Sequence, residues 1–175
     1  MAVMKIKSIF ILACALAAAC AALAAQPSKP SVQVTVKFVA PEKFTDVRDG
    51  RMDPASNRDW VLEQIKAEIE LSARHYLAVG QSLEVQVTDV DLAGEFEPWH
   101  GIEFDHIRIL KEVYPPRINL EFRRLDASGR VISEGTRRLH GMGYLMTGTM
   151  RANDPLRHDK ELISDWMRRE FRPKS

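Results

Sequence analysis

Apolar and polar residues alternate in three separate stretches of this chain, and this spacing of two constrains its fold more than any other feature. The stretches span residues 32–38, 83–87 and 118–122. Successive side chains of a β-strand point to opposite faces, so such alternation predicts strands that each bury one face. We therefore expect a sheet built from half-buried strands.

The second stretch changes phase before it ends. Val90 and Leu92 follow Val87, so in a regular strand they would point to the opposite face. One extra residue in a strand shifts the alternation by one and restores the common face. If the stretch is a single strand, we expect a β-bulge near Thr88 and Asp89.

A fourth strand, over residues 131–139, is expected to return beside the third after a tight turn that contains aspartate, serine and glycine. Two registers are open for this hairpin. A three-residue loop places Asp126 opposite Arg130. A two-residue loop places Arg123 opposite Glu134, which is a favourable cross-strand pair.

Two further segments have the spacing of amphipathic helices. Apolar residues recur at steps of four between residues 61 and 77, and we expect this helix to begin near Ser56 and end near Gly80. The second helix is expected to use Asp154 as its cap and Pro155 as its first residue. The order of elements predicts an α+β fold: a mainly antiparallel sheet of about four strands with two helices packed on one face.

The first 24 residues are typical of a signal peptide. Two lysines precede an apolar run over residues 9–25, and Ala22 and Ala24 fit the small-residue positions before a cleavage site. We expect cleavage after Ala24, with Ala25 as the near alternative. A short linker over residues 25–31 and a single domain over residues 32–173 then follow, and the mature protein is expected in the periplasm without stable membrane insertion.

Both cysteines, Cys14 and Cys20, lie inside this leader. Its removal would exclude disulfides, thiol nucleophiles, zinc fingers and iron–sulfur ligation from the mature chain, and we predict no cofactor. A lipoprotein is less favoured, because Cys20 follows three alanines and Cys14 leaves a short apolar core. The formal net charge of +1 becomes slightly negative without the two leader lysines, so we expect no nucleic-acid partner.

Four segments of the chain resemble a known bacterial family. They are residues 38–47 (FVAPEKFTDV), 89–94 (DVDLAG), 115–118 (PPRI) and 165–171 (DWMRREF). The family is catalogued as domain of unknown function 3016. The resemblance implies an exported bacterial protein of unassigned activity, and it supplies no catalytic residues.

One cluster has the side chains of a metal site. Glu97, His100 and His106 could bind zinc or another divalent ion, because imidazole and carboxylate are suitable ligands. Their spacing, however, lacks the order of known zinc motifs, which place ligands four apart on a helix or close together on a turn. The alternative is a surface loop whose polar residues face water.

A second cluster is basic. Arg123, Arg124, Arg137 and Arg138 are predicted on the hairpin and, with Trp99, form a candidate site for an anionic ligand. The alternative is an edge hairpin whose charges prevent pairing with another chain. Oligomeric state is left open by the sequence.

The chain contains no serine-nucleophile motif, no phosphate-binding loop and no dinucleotide fingerprint. We therefore predict a non-catalytic binding or envelope-assembly module with an unknown envelope protein or an anionic ligand as its partner. One alternative is a metal-assisted periplasmic hydrolase that uses the loop around His100 and His106. Another is a structural homo-oligomer formed through a sheet edge.

Overall fold

A four-stranded sheet with two helices against one of its faces forms the core of the protein. The computed structural model describes residues 31–48, 54–97, 99, 107–146 and 153–172, with the side chains of residues 54 and 55 excepted. The main elements are β1 (Gln33–Phe38), α1 (Pro54–Tyr76), β2 (Ser82–Asp91), β3 (Glu95–Phe96), β4 (Arg108–Ile109), β5 (Arg117–Leu125), β6 (Val131–His140) and α2 (Arg157–Phe171).

The sheet has the strand order β1-β2-β5-β6. β1 runs parallel to β2, while β2 with β5 and β5 with β6 are antiparallel. A parallel pair needs a crossover between its strands, and α1 provides it here. β3 and β4 form a separate two-stranded ribbon. The prediction of a mainly antiparallel sheet in an α+β fold is confirmed.

The bulge predicted in β2 is present at Thr88. Val87 pairs with Leu120 and Asp89 pairs with Asn119, so Thr88 is the extra residue. Val90 is consequently buried on the same face as Val87.

The hairpin between β5 and β6 combines both expected registers. The N–H of Asp126 donates to the carbonyl oxygen of Arg130 at 2.8 Å, which closes a three-residue loop. Further along, Arg123 nevertheless lies opposite Glu134. The two registers are compatible because Ile132 is an extra residue on β6: its neighbours in sequence pair with adjacent residues of β5.

Both helices pack on the apolar face of the sheet. The buried residues of α1, α2, β2 and β5 belong to one core cluster. At its centre Phe122 of β5 lies 5.9 Å from the ring of Trp166 and 5.5 Å from the ring of Phe171, in edge-to-face geometry. Aromatic pairs in this geometry stabilise a core beyond the area that they bury.

The helix boundaries differ from those predicted. α1 begins at Pro54 rather than near Ser56 and ends at Tyr76, before Gly80. α2 begins at Arg157. Its predicted cap was wrong, because Oδ1 of Asp154 accepts the N–H of Leu156 within a turn that precedes the helix.

The described residues from Ser31 onward form one compact unit. The predicted leader lies outside the described residues, as does the linker apart from Ser31. Within the described part of the chain, no helix is long and apolar enough to cross a bilayer.

Candidate binding surface

The face of the sheet opposite the helices is polar and exposed. We call this surface the open face. It is formed by alternate residues of all four strands, which include Lys37, Glu84, Gln86, Glu121, Arg123, Glu134, Thr136 and Arg138. The alternation that predicted half-buried strands thus also produces a continuous polar surface.

A shallow cavity of about 300 Å³ lies on the open face. Glu84, Arg123 and Glu134 form a row across it, because each is the register partner of the next. The guanidinium of Arg123 lies 3.2 Å from Glu84 and 3.5 Å from Glu134. Glu121 lines the same cavity and makes no ion pair with any described residue. Three carboxylates and one guanidinium therefore line the cavity, which has an excess of negative charge.

The arginines that the sequence grouped as a ligand site lie on two faces of the hairpin. Arg123 and Arg138 are on the open face. Arg124 and Arg137 are on the helix side, where Arg137 donates to both carboxylate oxygens of Glu170 at 2.8 Å. This geometry therefore does not bring the four arginines together into one anion site.

Arg124 and Arg137 make further contacts on the helix side. Arg124 donates to Oε1 of Gln81 at 2.8 Å and lies 5.7 Å from the centre of the Phe171 ring. Arg137 lies 5.0 Å from the centre of the Phe122 ring. Trp99 is 68% exposed. The ligand role of these residues stays a prediction.

The predicted metal cluster is described only at Glu97. Its carboxylate is 1% exposed and accepts hydrogen bonds from the Lys111 ammonium, at 2.6 and 2.7 Å, and from the Tyr114 hydroxyl, at 3.0 Å. The bond to Glu97 raises the pKa of Tyr114, because the phenol proton is held by a carboxylate. His100 and His106 lie outside the described residues. Among the residues that are described, no three potential ligands are grouped for a metal, and the metal site stays a prediction.

A second ion pair is almost buried at the same end of the sheet. The Arg108 guanidinium lies 2.7 Å from the Asp46 carboxylate, and these side chains are 13% and 8% exposed. Arg108 also donates to the carbonyl oxygen of Gly94 at 2.7 Å and to that of Arg48. The ring of Phe96 covers it at 4.7 Å. The sequence did not indicate this pair, whose members are 62 residues apart.

Asp159 is a third buried charged group at this end. It is 1% exposed, and burial raises its pKa to about 7. Its Oδ1 accepts the N–H of Ala93 at 3.0 Å. The signal that could have identified it is its position between Leu156 and Ile163, at the spacing of the buried helix face.

The acidic residues of the open face were also missed. Glu84, Glu121 and Glu134 occupy the polar positions of strands that the alternation had located. What the alternation could not provide was the register that places Glu84 and Glu134 on either side of Arg123.

No curated protein matches this chain. Among solved structures it is similar to a single-substitution variant of the PelC dodecamer from Paraburkholderia phytofirmans, with 10% identity, a TM-score of 0.39, and coverage of 83% of this chain and 89% of that chain. A second PelC dodecamer structure from the same organism is 12% identical to this chain, with a TM-score of 0.32. The match covers 83% of this chain and 90% of that chain.

A family model matches most of the domain, over residues 32–169. This range contains every described strand and all but the end of α2. The chain therefore belongs to the family described as Protein of unknown function (DUF3016).

Proposed function

We propose that this protein is an exported, non-catalytic binding module of the bacterial envelope, and that its open face binds a basic segment of a partner protein. The observation that carries the proposal is the acidic cavity, whose lining contains three carboxylates and the single guanidinium of Arg123. A lysine or arginine side chain of a partner would balance the excess negative charge. Charge complementarity of this kind directs association and selects partners.

The arrangement of the buried acids supports binding rather than catalysis. A catalytic acid or base must reach the substrate. Glu97 is held by Lys111 and Tyr114, and Asp46 is held by Arg108. Asp159 has a shifted pKa, but it lies in the interior and accepts a backbone N–H. We infer that these groups stabilise the fold.

Export is the second part of the proposal and is supported by the leader-like residues 1–24. Intact-mass measurement of protein recovered from the periplasmic fraction tests it. We expect a mature chain that begins at Ala25 and carries no lipid. A full-length chain, or an acylated chain that begins at a cysteine, would contradict this part alone.

Binding can be tested by titrating the protein with tetralysine and following backbone amide shifts by NMR. We expect the largest shifts at Glu121 and its strand neighbours, and we expect Glu121→Gln to weaken binding about threefold or more. Glu63→Gln is the matched control, because Glu63 is an exposed carboxylate on α1. It should leave the affinity unchanged.

Tetraglutamate is the opposite probe. If it bound more tightly than tetralysine and shifted the hairpin arginines, the partner would be an anion and the proposed charge preference would be wrong. Equal effects of Glu121→Gln and Glu63→Gln would also overturn the assignment to the open face.

A further inference from the structure

β6 is an outer strand of the sheet. It pairs with β5 on one side, and no strand within the described ranges pairs with its other side. An unpaired strand edge presents N–H and C=O groups that can pair with another chain. Whether β6 pairs in this way depends on the side chains along its edge.

The backbone groups on the outer side belong to the residues of the open face. The N–H of Gly141 donates to the carbonyl oxygen of Pro116 at 2.9 Å, which marks that pair as hydrogen-bonded. Hydrogen-bonded and non-hydrogen-bonded pairs alternate along an antiparallel ladder. The N–H and C=O groups of Glu134, Thr136 and Arg138 therefore point away from β5. The Thr136 carbonyl oxygen accepts from Nη1 of Arg137 at 2.9 Å, and its second lone pair can accept from a partner strand.

The charges on this edge are complementary to themselves. Glu134 and Arg138 lie two residues on either side of Thr136. If a second β6 pairs antiparallel with Thr136 opposite Thr136, Glu134 of each chain lies opposite Arg138 of the other. Opposite charges in directly facing positions stabilise a strand pair. A shift by one hydrogen-bonded pair in either direction loses both ion pairs.

Both side chains are available for this contact. Arg138 is exposed and makes no ion pair with any residue that the structure describes. The Glu134 side chain is 64% exposed, and its contact with Arg123 is 3.5 Å long. A second guanidinium can therefore approach its carboxylate.

We propose that two copies of this protein associate through β6, antiparallel and centred on Thr136, to form one continuous sheet. The axis of this dimer is perpendicular to the sheet, so the two open faces lie on the same side. The bulge at Ile132 confines the pairing to the segment that follows it, which supplies about six backbone hydrogen bonds. This contact shares Glu134 with the acidic cavity, where Arg138 of the second copy would balance part of the negative charge.

The other outer strand does not offer such a match. β1 carries one charged side chain, Lys37, among residues 33–38. No register of β1 with its own copy places opposite charges face to face. The charge pattern therefore distinguishes β6 from β1.

Sedimentation velocity of the purified protein, from about 10 µM to about 1 mM, tests the dimer, since a small interface is expected to be weak. We expect a concentration-dependent shift from monomer to dimer. Thr136→Pro should abolish it, because proline removes an outward N–H that the β5 ladder does not use. Thr136→Val is the matched control and keeps that N–H.

Charge reversal provides a second test that does not depend on proline. Glu134→Arg should raise the dimer dissociation constant about tenfold or more, because like charges then face each other twice per dimer. The double variant Glu134→Arg/Arg138→Glu should recover the original constant. Circular dichroism would verify that each variant is folded.

A protein that is monomeric throughout this concentration range would overturn the proposal. So would a dimer that persists unchanged in both Thr136→Pro and Glu134→Arg. Thr136→Pro changes no charge of the cavity, and Glu121 takes no part in the dimer contact. Sedimentation of the first variant and tetralysine titration of Glu121→Gln therefore judge the two proposals separately.

Discussion

The backbone N–H of Ala93 donates to Oδ1 of Asp159 over 3.0 Å and joins the end of β2 to the first turn of α2. The carboxyl group is fully buried, and burial raises its pKa from 3.8 to about 7. Arg108 lowers this pKa by its charge, but burial has the larger effect. We therefore expect the stability of this junction between sheet and helix to depend on pH.

We expect this group to make the protein less stable as pH rises from about 4 to about 7. The folded state holds the Asp159 proton more tightly than the unfolded state, so the folded chain binds more protons in this window. Loss of that proton lowers the free energy of unfolding by at most about 4 kcal/mol, and the effect levels off above about pH 7. Urea denaturation at several pH values measures it.

Asp159→Asn isolates the contribution of this one group. Asparagine retains an oxygen that can accept from Ala93 but has no proton to lose, so the variant should be less dependent on pH between about 4 and 7. The comparison with the wild type is needed because burial lowers the pKa of His158, which acts in the opposite direction. Parallel pH profiles for the two proteins would show that Asp159 does not titrate in this window.

The ion pair between Asp46 and Arg108 should be important for stability because both side chains are nearly buried. Arg108→Met leaves the buried Asp46 carboxylate with only the exposed guanidinium of Arg48, 3.8 Å away, as a countercharge. We expect a loss in the free energy of unfolding of up to about 3–5 kcal/mol. Adding Asp46→Asn to this variant should recover part of the loss. Denaturant midpoints give these values.

The matched control is Arg74→Met. Arg74 forms an exposed i,i+4 pair with Glu70 at 3.6 Å. Such surface pairs contribute about 0.5 kcal/mol or less. If both methionine variants lost the same free energy of unfolding, burial would not determine the strength of the Arg108 contact.

Gly135 is expected to resist substitution because of its neighbour Arg137. A Cβ atom at this position would lie 2.7 Å from a terminal nitrogen of Arg137, whose guanidinium covers Phe122 and binds Glu170. We expect Gly135→Ala to cost about 1–3 kcal/mol, which is typical of overpacking. In an Arg137→Ala background the same substitution should cost much less. Additive effects in this double-mutant cycle would contradict the steric explanation.

The sequence predicted those parts of the fold that depend on local periodicity. β1, β2, β5, the bulge at Thr88 and both helices follow from the spacing of apolar residues, and β6 follows from the tight turn before it. The predicted start of α2 was wrong because aspartate is favoured both as a helix cap and in a turn, and Asp154 forms a turn. Local chemistry did not decide between these outcomes.

The candidate site was predicted less well because its contacts are not local. Asp46 and Arg108 are 62 residues apart in sequence, and Ala93 and Asp159 are 66 apart. The grouping of the hairpin arginines assumed that neighbours in sequence share a surface. The alternation of the strands instead separates Arg123 from Arg124 and Arg137 from Arg138.

Deletion of Thr88 should be tolerated, because the register of β2 needs no residue at this position. Val87 already pairs with Leu120 and Asp89 with Asn119, so removal of Thr88 keeps every pair and every buried side chain. The direct loss is the hydrogen bond from the Thr88 hydroxyl to the Asn119 carbonyl oxygen at 3.3 Å. We expect a cost of about 1 kcal/mol, measured by urea denaturation.

Deletion of Gln86 is the matched control, because it also shortens β2 by one polar residue. After this deletion the rest of β2 keeps its pairing with β5 only if Val87 moves to the open face and Thr88 replaces it in the core. That exchange exposes an apolar side chain and buries a hydroxyl, so we expect a loss of several kcal/mol, on the order of 2–4. Equal costs for the two deletions would show that β2 does not keep its register when the bulge is removed.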